Sequence, residues 1–204
     1  MSSTAIRVRP LLEREVPRAA ETLSEAFDDD PVFRFMLRER PRRQAWLRWF
    51  HEASLREAML GGGAFTVGEG PSAAAMAVVA PASAREAVTR VARSVGLLPA
   101  LPTWALVRSG LPLYLALRGR HPPEPHLYLS VIGVHPSRQG RGVGGALLRH
   151  LVSEAGARGL PCHLETAKPS NVSLYERFGF RVVGEVAYGG APPTWAMTRA
   201  LSFQ

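Results

Sequence analysis

The stretch from His126 to Leu148 constrains the fold of this chain more than any other part of its sequence. Residues 127–134 are apolar and rich in β-branched side chains, which predicts a mostly buried strand. Pro136 ends that strand because proline has no N–H to give to a strand ladder. A glycine-rich turn follows, and apolar residues then recur at helical spacing until Gly159. The stretch therefore predicts a strand, a tight turn and a helix in succession.

The glycines of this turn predict a binding site for an anion. Gly140, Gly142 and Gly144 let the backbone bend tightly and approach a ligand without intervening side chains. The unpaired N–H groups at the start of a helix favour a negative charge, and the helix dipole adds to that preference. The local inference is a phosphate cradle, with a glycine-rich turn that holds no ligand as the alternative.

The same residues resemble a signature of a known family. The pattern Gln139-x-x-Gly142-x-Gly144, after a strand that ends in Ile132-Gly133-Val134, resembles the acetyl-CoA signature of the GNAT-type N-acetyltransferases. The resemblance implies that the amides of the turn hold the CoA pyrophosphate and that the strand pairs with the pantetheine arm. The cofactor-binding residues that it implies here are Ile132, Gly133, Val134, Arg138, Gln139, Gly140, Arg141, Gly142, Val143, Gly144 and Gly145.

The same residues also match a second motif, which is typical of a different class of protein. The run from Gly140 to Gly145 also satisfies G-x-G-x-x-G, the dinucleotide-binding fingerprint. That fingerprint should follow its strand directly and open a series of βαβ units. Here five residues separate Val134 from Gly140, and about 60 residues remain after the turn. A dinucleotide-binding oxidoreductase is therefore the weaker alternative.

A helix after the next strand adds to the resemblance. The run NVSLYERFGF, from Asn171 to Phe180, resembles the family's helix that bears a tyrosine and ends in Gly-Phe. The resemblance implies that Tyr175 and Asn171 contact CoA. Many members place the asparagine seven residues before the tyrosine, where this chain has Lys168, but both offsets lie on the tyrosine's face of the helix. The specific resemblance covers roughly residues 126–184.

Acetyl transfer needs a proton acceptor for the amine, a donor that stabilises the tetrahedral oxygen, and a proton donor for the departing thiolate. The resemblance assigns the last role to Tyr175 and the second to a backbone N–H of the central strand near Val134. Glu165 occupies the position of the proton acceptor in some ribosomal-protein acetyltransferases, and partial desolvation predicts a raised pKa for its carboxyl. A structural carboxylate or an anchor for the acceptor amine is an equal alternative for Glu165.

Three further residues are predicted to bind the acceptor substrate. His126, at the start of the central strand, is also a second candidate for the base, although a histidine there is often only exposed. Asp30 precedes Pro31, a pattern that predicts a helix cap, and in related acetyltransferases this elbow lies near the acceptor. Trp195 follows a loop that borders the acceptor cleft in relatives, with core packing as its alternative.

The order of predicted elements is β-α-α-β-β, a helical insert, and then β-α-β-α-β-β. With the resemblance, this order predicts an α/β (mixed α+β) acetyltransferase fold with a mostly antiparallel mixed sheet. The sheet should splay between residues 127–134 and 162–167, and acetyl-CoA should enter that V-shaped opening. The insert, residues 82–123, is predicted to hold two helices. They form either a wall over the acceptor pocket or a face for dimerisation, so the oligomeric state is left open between a monomer and a homodimer.

Length and composition predict one domain over residues 1–204. A hydrophobic fraction of 46% is ordinary for a globular protein. No run approaches 18 uncharged apolar residues, so no membrane span is expected. The charged N-terminal stretch does not resemble a signal peptide, and the single cysteine, Cys162, suits a reducing compartment, which together predict a cytoplasmic protein.

The basic charge does not predict nucleic-acid binding. The net charge is +8, but Lys168 is the only lysine and most arginines are scattered without interleaved aromatics. Binding of an acidic cofactor such as CoA is a simpler explanation for part of this positive charge. No metal is expected either, because His121, His135 and His150 show no ligand spacing with each other or with carboxylates.

The sequence thus predicts an N-acetyltransferase that moves an acetyl group from acetyl-CoA to a primary amine by direct attack in a ternary complex. A CoA-binding sensor or partner domain without catalysis is the main alternative. The acceptor is left open among small amines, polyamines, antibiotics, peptide N-termini and protein lysines, and larger acyl groups than acetyl remain open too.

Overall fold

The computed structural model describes residues 6–60, 63–68, 70–80, 111–187 and 189–201. Within them, seven strands form one sheet and six α-helices pack around it. The strands are β1 (Val8–Pro10), β2 (Ala64–Val67), β3 (Ala73–Ala80), β4 (His126–Val134), β5 (Cys162–Thr166), β6 (Arg181–Val186) and β7 (Thr194–Arg199). The helices are α1 (Val16–Ala26), α2 (Pro31–Met36), α3 (Arg40–Leu60), α4 (Leu111–Arg118), α5 (Val143–Ala157) and α6 (Pro169–Glu176).

The predicted order of elements holds for the described part of the chain with one difference: three α-helices, rather than two, lie between β1 and β2. Helix α3 begins at Arg40. Pro41 falls in its first turn, where a missing N–H breaks no helical hydrogen bond. Of the predicted insert, residues 81–110 lie outside the described residues, and with them the first of its two predicted helices. Helix α4 is the described end of the second.

The strand order β1-β2-β3-β4-β5-β7-β6 makes a mixed sheet. The neighbouring strands are antiparallel except for β4 and β5, which are parallel. A doubly wound parallel sheet, which the dinucleotide fingerprint requires, does not fit this topology. The mixed, mostly antiparallel α/β sheet that the sequence predicts is confirmed.

Strands β4 and β5 separate soon after they meet. Only Leu127–Cys162 and Tyr128–His163 are paired between them. Strand β4 continues through residues 129–134 and β5 through residues 164–166 without pairing to each other. This divergence is the predicted V-shaped opening in the sheet.

The two faces of the sheet have separate apolar cores. Helices α5 and α6 cover one face, where Leu147 and Tyr175 pack against Leu127. Helices α1 and α3 cover the other, where Leu23 packs in the cluster that contains Val131. The pairing of β3 with β4 shifts register after Val131, because Ser130 is left without a partner, and this bulge lies beside the opening.

Helix α1 packs so closely against Gly133 that this position has no room for a side chain. A Cβ at this position would lie 2.7 Å from Leu23 Cδ2 and 3.1 Å from the Ala26 Cβ. No side chain fits that gap, so the glycine lets α1 lie directly on β4. The acetyl-CoA signature and the contact with α1 therefore both use this residue.

A buried histidine lies among aromatic rings between α1 and α3. His51 is fully buried, with ring centroids 5.4 Å from Phe27 and 5.4 Å from Phe50. Neither of its ring nitrogens has a hydrogen-bond partner among the described residues. Burial lowers the pKa of His51 to about 3.

We expect His51 to make the fold sensitive to acid. The unfolded chain takes up a proton near pH 6.5 and the folded chain only near pH 3, so stability is complete above pH 6.5 and is lost as the pH falls towards 3. The loss between pH 7 and pH 5 should be about 2 kcal/mol. His51→Leu, of similar volume, should remove this loss and be at least as stable at pH 7 because two unpaired polar atoms disappear.

Urea unfolding of both proteins at pH 7 and pH 5 measures this difference. Other titrating groups act equally in the two proteins, so the change in the wild-type free energy of unfolding relative to His51→Leu isolates the histidine. Equal pH dependence in both proteins would contradict the assignment.

Among the described residues, no helix combines the length and apolar character needed to cross a bilayer.

Candidate active site beside the opening in the sheet

The turn between β4 and α5 has the backbone that its glycines predict. Gly140 and Gly142 adopt left-handed conformations, with φ of 72° and 77°, which other residues rarely adopt. Gly142 is the N-cap of α5, and no side chain caps that end of the helix. The first turn-to-helix bond runs from the Ala146 N–H to the Gly142 carbonyl, at 3.0 Å. The amides before Ala146 therefore have no acceptor within the helix and face outwards.

Packing places this helix end next to the opening. A Cβ on Gly144 would lie 3.4 Å from Val134 Cγ2, and one on Gly145 would lie 3.5 Å from Phe178 Cζ. The first turn of α5 therefore lies between the unpaired end of β4 and the segment that follows α6. Gln139 connects the glycine turn to β4 by a hydrogen bond, because its Nε2 donates to the Val134 carbonyl at 3.0 Å.

The other predicted cofactor residues surround this turn. Arg138 and Arg141 are exposed on it, so their guanidinium groups can reach a bound anion. Ile132 and Val134 are half-buried and pack against the core under α5, and Val143 is buried in that core. Charged and apolar groups thus lie on opposite sides of the turn.

Tyr175 lies on the buried face of α6, in the core that α5 and the sheet share. It is 6% exposed and meets the Phe180 ring edge-on, with centroids 5.9 Å apart. Burial raises the pKa of Tyr175 to about 12. The hydroxyl therefore keeps its proton at neutral pH and can donate it.

The start of α6 is tied to neighbouring elements. The Asn171 Nδ2 donates to the Thr166 Oγ1 at 3.3 Å, which holds α6 against the end of β5. Lys168, at the position where many family members have asparagine, forms an ion pair with Asp29 at 2.6 Å. This ion pair joins the start of α6 to the elbow between α1 and α2.

Asp30 caps helix α2, as its position before Pro31 predicts. Its Oδ1 accepts hydrogen bonds from the amides of Val32 at 3.0 Å and Phe33 at 3.2 Å. Burial raises the pKa of the Asp30 carboxyl, against the effect of those two hydrogen bonds. The predicted cap is confirmed, and contact with an acceptor stays a prediction.

Glu165 lies in a cluster of three histidines on the face opposite α5. Its Oε1 is 2.9 Å from His121 Nε2 and 3.5 Å from His163 Nε2. The Nδ1 of His121 lies 3.0 Å from His126 Nε2. His126 and His163 are 2% and 0% exposed, so His126 is not the exposed strand-end residue that its position allowed.

The expected raised pKa of Glu165 is wrong. Burial acts to raise the pKa of this carboxyl, but the hydrogen bond from His121 and the nearby imidazole of His163 outweigh it and hold the pKa at about 2. The carboxyl is therefore ionised. Burial also lowers the pKa of His126.

The prediction that no metal binds stays a prediction, but the structure groups residues that the sequence spacing did not relate to one another. His121, His163 and Glu165 present ligand atoms that all lie within 4.8 Å of one another. His163 was not predicted as a site residue, although it and Glu165 lie two residues apart on one strand and so share a face of the sheet. The alternation of side chains along the strand could have predicted that His163 and Glu165 lie together. No pattern in the neighbouring sequence could have predicted that His121 lies beside them.

Trp195 lies beside a separate groove. Its Nε1 donates to Glu185 Oε2 at 3.1 Å, and its ring is half-buried. The groove has a volume of about 610 Å³ and is lined by Pro169, Val172, Val182, Val183, Gly184, Glu185 and Trp195. None of these residues belongs to β4, so the groove lies outside the β4–β5 opening.

Comparison with known proteins adds to this geometry. Residues 109–180 match the model of the acetyltransferase (GNAT) family. A histone acetyltransferase HPA2 and related acetyltransferase from Corynebacterium glutamicum has the same fold, with a TM-score of 0.71, 24% identity and coverage of 98% of both chains.

Two other solved structures share the fold at lower identity. A polyamine N-acetyltransferase of Drosophila melanogaster, which catalyses the formation of N-acetylagmatine, aligns with a TM-score of 0.67 and 18% identity over 96% of this chain and 100% of that one. The PaiA N-acetyltransferase of Thermoplasma acidophilum, in complex with coenzyme A, aligns with a TM-score of 0.60 and 11% identity over 97% and 99%.

Proposed function

We propose that this chain is an acetyltransferase of the GNAT type, which transfers an acetyl group from acetyl-CoA to a primary amine. The observation that carries the proposal is the start of α5. Uncapped amides, two left-handed glycines and two exposed arginines meet there beside an opening in the sheet. Such a helix end favours a pyrophosphate, and the opening leads from it towards Tyr175.

The donor would lie along β4. Residues 129–134 have free backbone groups on the side facing β5, and a pantetheine arm can pair with them as a strand would. The thioester would then reach the level where β4 and β5 separate. A backbone N–H of β4 at that level would stabilise the oxygen of the tetrahedral intermediate. Val134, to which the resemblance assigned this role, lies at the other end of the opening, beside the glycine turn.

The acceptor amine would attack the thioester carbonyl directly in a ternary complex. The amine loses a proton to Glu165, directly or through a water. This carboxylate is ionised and can accept the proton, although its hydrogen bond from His121 makes it a weaker base than a free carboxylate. The C–S bond breaks as the carbonyl re-forms. Tyr175 gives its proton to the departing thiolate, which leaves as CoA-SH. Tyr175 is protonated at neutral pH and so holds the proton that the thiolate needs, although burial raises its pKa to about 12 and makes it a weaker acid.

The acceptor side would be the face of the sheet opposite α5. Glu165 and His126 lie on that face, and the elbow that holds Asp30 borders it through the Asp29–Lys168 ion pair. The Drosophila neighbour acts on an amine, which is consistent with an amine acceptor here. Trp195 would contact only an acceptor long enough to extend into its groove.

A thiol-release assay tests the proposal. Purified protein is mixed with acetyl-CoA and a panel of primary amines that includes arylalkylamines, polyamines and a lysine peptide, and CoA-SH is measured with a thiol reagent. We expect release that depends on both substrates for at least one amine class. Acetyl-CoA binding without release for any amine favours the CoA-binding sensor instead, and absence of acetyl-CoA binding contradicts both.

A further inference from the structure

We propose that His121, His163 and Glu165 form a binding site for a divalent transition-metal ion, with Zn²⁺ as the ion that suits it. The set lies on one face of the sheet where β4 and β5 separate. His163 and Glu165 come from β5, and His121 comes from the segment after α4.

The distances between the ligand atoms fit a shared ion. His121 Nε2 and His163 Nε2 lie 2.9 Å and 3.5 Å from the same oxygen, Glu165 Oε1. Zinc bonds of about 2.0–2.2 Å in a tetrahedral site put ligand atoms about 3.3–3.6 Å apart. Two of the three separations lie within about 0.5 Å of these values, and the third, between His121 Nε2 and His163 Nε2, is no more than 4.8 Å.

The other nitrogen of each candidate ligand is already held. His121 Nδ1 is 3.0 Å from His126 Nε2, and His126 Nδ1 is in turn 2.9 Å from the Glu124 carbonyl. His163 Nδ1 is 2.9 Å from Thr198 Oγ1. Metal-binding histidines are typically oriented in this way, by a hydrogen bond at the nitrogen that does not bind the metal. Both rings are thus fixed with Nε2 towards Glu165.

An unpartnered nitrogen distinguishes a metal site from a simple ion pair. A protonated His121 can pair with Glu165, but His163 Nε2 is completely buried and has no hydrogen-bond partner among the described residues. Glu165 Oε1 lies 3.5 Å from this nitrogen, which is long for a hydrogen bond. Leaving such a group unpaired costs about 1–3 kcal/mol, and a coordinated ion would remove that cost.

The ligand chemistry selects the kind of ion. Two imidazoles and one carboxylate suit zinc and its neighbours, whereas calcium and magnesium take oxygen ligands. Cys162 is buried, and burial raises the pKa of its thiol to about 11, so it supplies no thiolate to compete for the ion.

One consequence rests on the proposed function. Zinc would occupy the same oxygen of Glu165 that is proposed to receive the proton of the amine. The zinc-loaded protein should therefore transfer acetyl groups more slowly than the metal-free protein. Metal binding itself is independent of any activity.

Titration calorimetry on the full-length, tag-free, metal-free chain tests the site. We expect one equivalent of Zn²⁺ to bind the wild type, and one equivalent of Co²⁺ to give the visible absorption bands of a low-coordinate site. His163→Gln and Glu165→Gln should each weaken zinc binding by at least ~100-fold. His135→Gln is the matched control, because His135 forms an exposed pair with Glu25 at 2.7 Å outside the cluster and should leave zinc binding unchanged.

Circular dichroism and thermal unfolding establish that each variant is folded. His121→Gln, outside the strands, provides a second ligand variant should those on β5 not fold. Absence of stoichiometric zinc binding by the wild type overturns the proposal, as does equal binding by all the folded ligand variants. Zinc binding without slower thiol release retains the site and overturns only its effect on catalysis.

Discussion

Replacing Gly142 with aspartate is expected to abolish acetyl-CoA binding, with an affinity loss of at least ~100-fold. The new carboxylate would stand among the uncapped amides at the start of α5, where the pyrophosphate is placed. It would repel the phosphates and hydrogen-bond to the amides that they need, since aspartate is itself a good helix cap. Titration calorimetry with acetyl-CoA measures the change.

Gly159→Asp is a matched control for this prediction. Gly159 also has a positive φ, 64°, and a Cβ there would have no heavy atom within 4 Å, but it lies beyond the opposite end of α5. Gly159→Asp introduces the same charge and a similar backbone strain away from the start of α5, so acetyl-CoA binding should persist. Gly142→Ala adds strain without charge and should lose less affinity than Gly142→Asp. Equal losses in Gly142→Asp and Gly159→Asp would contradict the position of the cradle.

Removing the hydroxyl of Tyr175 is the second large expected effect. Tyr175→Phe should lower kcat by about 100-fold, because the thiolate then leaves without its proton donor. The ring remains packed against Phe180, so the fold should be retained. Steady-state kinetics with a competent amine, together with calorimetry for CoA, measure the two quantities separately.

The relation between kcat and affinity decides the role of this tyrosine. Unchanged CoA affinity with a lower kcat supports proton donation. A loss of affinity with an unchanged kcat would instead make Tyr175 a binding residue. Unchanged values of both would contradict any role in the transfer.

The parts of the fold that the sequence predicted well are the local ones. The strand ended by Pro136, the glycine turn and the helix after it all depend on residues close together in the chain. The cap at Asp30 is local in the same way. Proline, glycine and capping side chains act on their immediate neighbours, so their pattern alone fixes these structures.

The surroundings of Glu165 could not be predicted in this way. His121 lies 44 residues from Glu165 in the chain and yet makes a hydrogen bond of 2.9 Å to it. The sign of the pKa shift depends on that contact, because burial alone would raise the pKa. Similarly, the role of Gly133 depends on α1, more than 100 residues earlier in the chain.

The short pairing between β4 and β5 divides the sheet into two parts. One part holds β1 to β4 and the other holds β5, β7 and β6, and two residue pairs join β4 to β5. The buried histidines lie where these strands are paired, and the glycine turn lies at the far end of β4. A molecule that pairs along β4 and also touches α6 would therefore contact both parts of the sheet at once. Its binding would add contacts between them that the strands themselves do not make.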